Sequence, residues 1–164
     1  MRNSLRKIRM FMERRGEGLV EFALVLPMFL LLLFGLIDLG RYYWIRETVE
    51  NAVRQAGRYA VTGQSMPGDS RVASIQQVAI NAMAGLYNPS TTTITVSSGQ
   101  VGTSPSSGTN GFAGYGGENV TVQITTALGF FTPGIAKYFG STGSNTLVET
   151  VTFRNESFSD SQAN

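Results

Sequence analysis

An α+β protein is predicted by three features of this 164-residue sequence: one long N-terminal helix, a second helix, and a small antiparallel sheet of about three strands. From Leu19 to Leu39 the chain is uncharged except for Glu21 and Asp38. Beyond that run, apolar residues recur at helical spacing as far as Val61. After Pro89 the apolar period falls from about 3.6 residues to about 2, the change expected where helix gives way to sheet.

The first element is set by charge as much as by hydropathy. Six basic side chains (Arg2, Arg6, Lys7, Arg9, Arg14, Arg15) stand against Glu13 in the first sixteen residues, leaving seven basic and ten acidic residues from position 17 on. The basic character of the whole chain therefore belongs to its first segment. A nucleic-acid partner needs a basic face on the folded part, and none is expected here. A membrane span requires roughly 20 mostly apolar residues, which residues 19–39 supply if both acids lie at its ends. Basic residues upstream keep the N-terminus cytoplasmic and send the following body across the membrane.

Three kinds of segment share this pattern. A secretory signal peptide ends in a small-x-small cleavage site, but this run ends Leu36, Ile37, Asp38, Leu39 and has Glu21 near its start. A plain uncleaved anchor accounts for the hydropathy and leaves "GEGLVEF" without a reason. The third is a leader cut on the cytoplasmic side with the helix retained. Gly16, Glu17-Gly18-Leu19-Val20, then Glu21 and Phe22, form G-x-x-x-x-E-F at the opening of an apolar helix after a short basic leader. This arrangement resembles the prepilin peptidase site of type IVb Flp pilins and of the TadE/TadF pseudopilins. A cut after Gly18 would put Glu21 third and does not fit the motif. Pro27 early in the run, Asp38 and Arg41 at its end, and a β-rich remainder are more similar to the TadE-like family than to the much shorter major Flp pilin. The motif, the leader and the helix carry the resemblance over residues 1 to about 60; beyond that it is one of layout.

The resemblance implies a pilin-like fold and the following plan: residues 1–16 a cleaved basic leader, 17–39 a transmembrane helix, 40–62 its continuation outside the membrane, and 63–164 an extracytoplasmic α/β domain. It implies a subunit that supports Flp (tight adherence) pilus assembly from the inner membrane. Its partners would be the prepilin peptidase, a sister pseudopilin, the Flp pilin, the inner-membrane assembly platform and membrane lipid. Gly16, Glu17, Glu21 and Phe22 would form the peptidase motif, with no side chain at Gly16 to crowd the scissile bond. An uncleaved single-pass envelope protein with a periplasmic binding domain is the alternative.

Glu21 needs a physical reason to sit in such a run. An acid near a helix N-terminus gains about 0.3 to 1 kcal/mol from the macrodipole, less than the roughly 2.5 to 3.5 kcal/mol cost of an acid in mid-membrane. A partner is a stronger reason: in a staggered helix bundle the carboxylate can meet the new amine of a neighbouring subunit, a pairing favoured over two lone charges in a low dielectric. The resemblance implies the same assembly role. Pro27 removes a backbone donor and is expected to kink the span.

The remaining elements follow in order. Ile45, Val49, Ala52, Val53, Ala56 and Ala60 make a stripe that should dock on the chain's own sheet, beside an alternating row Arg46, Glu50, Arg54 at i, i+4 spacing. "TGQSMPGDS" at 62–70 ends the helix, with Asp69 expected to cap the next. That second helix places Val72, Ile75, Ala79, Ala82, Met83 and Leu86 on one face and stops before Pro89. Strands are expected at 91–98, 119–128 and 146–153, where β-branched residues cluster. Residues 97–118, with seven glycines and many serines, read as a flexible hairpin loop in which Phe112 and Tyr115 are possible contact residues. "LGFFTPGIAKYFG" at 128–140 reads as a cover over the sheet, with contact to the membrane surface as the alternative.

Catalysis finds little to work with. The chain has no cysteine and no histidine, which removes thiol nucleophiles, disulfides, histidine-based zinc sites and Ser-His-Asp triads. Glu118, Glu149, Glu156 and Asp160 lack metal-ligand spacing, and no phosphate-binding loop follows a strand. No cofactor, metal or small-molecule substrate is expected. The sequons at Asn119 and Asn155 match a pattern short enough to arise by chance.

Overall fold

A computed structural model of the chain describes residues 2–99, 109–130, 132 and 146–159, with side chains described from Gly18 onward and not at residues 109–110. The first helix, α1, runs Arg2–Ala60 without interruption. It therefore begins well before Glu17, where the sequence placed its start, and it continues through Pro27.

The second half of α1 is buried through a narrow, small-residue stripe. Val49, Ala52, Val53, Ala56 and Ala60 are all 2 % exposed or less, at the spacing that puts them on one face. Against this face lie α2, Arg71–Ala82, and the sheet. Gly57 sits in the same stripe: a methyl group built there would lie 2.5 Å from Phe153 Cε2 and 2.9 Å from Val151 Cγ1. In an exposed helix Gly→Ala gains about 1 kcal/mol. Here the overlap reverses the sign, so Gly57→Ala should destabilise by about 1 to 2 kcal/mol, read as a lowered unfolding midpoint in detergent.

The cap of α2 is Ser70 rather than Asp69. Ser70 has extended backbone angles and its hydroxyl accepts from Ala73 N–H at 3.2 Å, the geometry of an N-cap. The register is held from behind, because Ser74 Oγ donates to Ser70 O at 2.9 Å and accepts from Met66 N–H at 2.8 Å. The C-terminus also comes earlier than expected. Ala84 (φ 50°) and Gly85 (φ 84°) turn left-handed directly after the Met83 cap, which ends a helix short of Pro89.

Strands β1 (Thr92–Gly99), β2 (Thr109–Asn110), β3 (Asn119–Ala127) and β4 (Thr146–Arg154) form one antiparallel sheet in the order β2-β1-β3-β4. The three long strands are those the sequence predicts, within two residues at each end; β2 adds a two-residue edge. Register aligns Val96 with Val122 and Val122 with Val151, so Val96, Val120, Val122, Ile124 and Leu147 face the helices as a core. The opposite face is threonine-rich, and Thr121 and Thr152 hydroxyls meet across it at 2.9 Å. One covered face and one polar face is the usual division in an antiparallel sheet.

The Gly/Ser-rich segment is not one long flexible loop. Residues 97–99 finish β1, 109–110 form β2, and 111–118 return over the core with Ala113 fully buried; residues 100–108 lie outside the described part. At Gly114 (φ 79°) a side chain would be strained and would meet Ser98 Cβ at 3.0 Å, so glycine there lets the backbone come close.

Candidate functional site

Among the described residues, nothing covers α1 between Gly18 and Leu36. Leu19, Leu24 and Met28 are 70–76 % exposed and Phe22 is 62 % exposed, a degree of apolar exposure that water does not tolerate over such a length. The helix is long and apolar enough to cross a membrane. Glu21 is the one charged residue between Gly18 and Ile37. It is exposed and has no hydrogen-bond or ion-pair partner among the described residues. Pro27 is exposed on the same bare stretch. Gly16 and Glu17 lie in α1, outside the described side chains.

The bare stretch ends at a collar the sequence did not predict. Asp38 is 1 % exposed, and its Oδ2 accepts from Thr132 N–H at 2.7 Å across 94 residues of chain. One turn on, Arg41 Nη1 donates to Gly129 O at 3.0 Å. Residues following β3 thus fold back onto α1 where its exposed aliphatic run ends. Leu128 is buried and Phe130 packs against the core, consistent with a cover over the sheet; residue 131 and residues 133–145 lie outside the described part. A charge-assisted bond to a buried carboxylate is stronger than a neutral one, which makes Asp38 a fastening point and more than the end of an apolar run.

Farther along α1, the alternating charge row splits. Glu50 bonds Arg54 within the helix, whereas Arg46 reaches Glu149 at 3.4 Å. Glu149 opposes Ile124 and so lies on the inner face of the edge strand β4, where an inward charge also discourages edge pairing. Trp44, Glu47, Glu50, Arg54 and Ala84 line an open groove of about 350 Å³ between α1 and the end of α2.

At the far end, the fold is held by a buried arginine. Arg71 is fully buried; it donates to Gly114 O at 2.6 Å, Ala60 O at 2.8 Å and Asn155 Oδ1 at 3.2 Å, and its guanidinium stacks 4.6 Å from the Phe158 ring centroid. Burial pushes its pKa below the ordinary arginine value, because desolvation disfavours the cation. Ala60 O is the last carbonyl of α1, where the helix dipole is negative. Asn155 also donates to Ala113 O and Tyr115 O; its amide is consumed in this network, which removes it as a glycosylation acceptor. Phe112 and Tyr115 stack edge to face on each other at 5.1 Å.

The structure therefore separates two sets of residues. Glu21, Phe22 and Pro27 share the bare stretch of α1, while Asp38, Arg46, Arg71 and Glu149 bond within the body. Among the described residues no acidic cluster could hold a metal ion. Residues 16–58 match the family model described as TadE-like protein. The TadE-like stretch begins at Gly16, the first residue of the G-x-x-x-x-E-F motif, and lies wholly within α1. It supports involvement in a Tad pilus system, and its one apolar helix is compatible with a single-pass membrane protein. Neither curated proteins nor solved structures gave a match to the chain.

Proposed function

We propose that the chain is a pseudopilin-like subunit of a Tad (Flp) type IVb pilus system. A prepilin peptidase removes residues 1–16, and α1 then holds the subunit in the inner membrane with its body on the periplasmic side. It works by assembly and not by catalysis, packing with the Flp pilin, a sister pseudopilin and the assembly platform so that fibres form and the cell adheres. One observation carries this reading: the TadE-like match falls on a helix whose apolar stretch is bare, with a lone carboxylate, Glu21, that has no partner among the described residues.

The cut explains the carboxylate. In the intact chain α1 starts at Arg2, so Glu21 lies far from the first turn, beyond the reach of the macrodipole. After a cut at Gly16 it becomes the fifth residue of the new chain, close to the helix start and to a free amine. Staggered neighbours can then pair that amine with Glu21, which satisfies two charges at once.

Deleting the gene from its bacterium should remove Flp fibres from the sheared surface fraction, and an intact copy should restore them. Fibres that persist at normal levels after deletion would favour the alternative, an uncleaved envelope protein whose body binds a periplasmic partner.

A further inference from the structure

We propose that the chain just after β3, at residues 128–130 and Thr132, is a second membrane contact that seats the body on the lipid headgroups, so that the protein rests on the bilayer rather than standing off it on a stalk. The proposal rests on the reading of α1 as the membrane span.

Height along one continuous helix sets the level of this segment. At about 1.5 Å per residue, Leu19 to Asp38 covers about 28 Å, close to the roughly 30 Å of a hydrocarbon core. Asp38 therefore lies at the boundary between hydrocarbon and headgroups. Thr132 N–H is bonded to Asp38 and Gly129 O to Arg41, so the β3 turn is pinned at that same height. A stalked body would have its lowest loop well above this level.

The exposed aromatics just beyond Asp38 point the same way. Tyr43 and Trp44 are 56 % and 57 % exposed and lie about 8 to 9 Å beyond Asp38 along the axis. That is the headgroup layer, where tyrosine and tryptophan are enriched because their rings are amphipathic. Arg41, beside Gly129, brings a cation to the phosphate level. Lipid is the occupant chosen because the surface is continuous with the exposed span and graded from aliphatic to aromatic to charged, as the bilayer itself is.

The chain has no cysteine and a single tryptophan, and these make the test clean. Single nitroxide-labelled cysteines are placed in the full chain by Gly129→Cys, Met28→Cys and Ser65→Cys, and the protein is reconstituted in phosphatidylethanolamine/phosphatidylglycerol vesicles. A Cβ at Gly129 meets nothing within 4 Å, and Met28 and Ser65 are exposed. Collision with oxygen against collision with a nickel chelate gives the depth of each label. The expected order is Met28 deep in hydrocarbon, Gly129 at the interface with loss of nickel access, and Ser65 fully aqueous. Unsubstituted protein should show Trp44 emission quenched by nitroxide lipids labelled near the headgroup and far less by those labelled at the chain end. A Gly129 label as aqueous as that at Ser65, with Met28 deep, overturns the seating and leaves the anchor intact. An aqueous Met28 label overturns the anchor and the seating together.

Discussion

Arg71→Met is expected to destabilise the body by about 2 to 4 kcal/mol, a fall in Tm of roughly 10 °C or more. The substitution leaves two buried acceptors, Gly114 O and Asn155 Oδ1, without the Arg71 donor, and leaves Ala60 O with only the longer of its two bonds, from Gly63 N–H at 3.4 Å. Each unsatisfied group costs about 1 to 3 kcal/mol. Against this stands the desolvation of the cation, the effect that lowers the Arg71 pKa; a Met variant is spared it, which keeps the net loss below the sum of the lost bonds. Arg71→Lys should recover only part of the loss, since an ammonium lacks the planar fork that reaches the end of α1, the 111–118 return and the segment after β4 together. Thermal unfolding in detergent, followed by circular dichroism, reads the effect. A Met variant as stable as the parent would mean that these hydrogen bonds contribute nothing net.

Glu21→Ala has the largest expected effect on function. The peptidase should still cut after Gly16, while assembly fails, because the neighbour's amine is left unpaired in a low-dielectric bundle. Breaking a buried pair on one side costs about 3 to 5 kcal/mol, a loss of about a hundredfold or more in subunit association. Processing followed by gel mobility and fibres counted in the sheared fraction separate the two effects. A variant that is not cut, yet assembles normally once a pre-cut form is supplied, contradicts the assembly role and makes Glu21 a recognition residue only.

The two effects come from opposite ends of α1, and the two ends differ in how far the sequence exposes them. The bare half was legible: an uninterrupted apolar run is its own signal, and Glu21 stands out against it. The long strands were legible for the same reason, since Val120, Val122 and Ile124 alternate and each is fully buried. Arg71 was not singled out, although one signal existed. A basic residue in the first turn of a helix is opposed by the dipole, so its presence there asks for a compensating contact elsewhere.

Asp38 was read as the end of a span, because nothing local announces that Thr132, 94 residues later, will donate to it. Glycine composition misled in the 111–118 return. Glycine is as much a device for close approach as for mobility, and only the fold tells which is in use. Gly57 was missed for a related reason: the stripe of small residues on α1 was visible, but the ring of Phe153 that requires a hydrogen at this position comes from β4, far along the chain. The Asp69-to-Ser70 shift of the cap is a one-residue matter of which hydroxyl or carboxylate meets the free N–H groups, and both residue types are good caps.

The intact mass of the membrane-extracted protein, with and without a co-expressed prepilin peptidase of this class, tests the central claim most directly. The account predicts a loss equal to residues 1–16 when the peptidase is present, with Glu17 as the new N-terminal residue and Glu21 fifth. An unchanged mass, or a cut at any other bond, would contradict it.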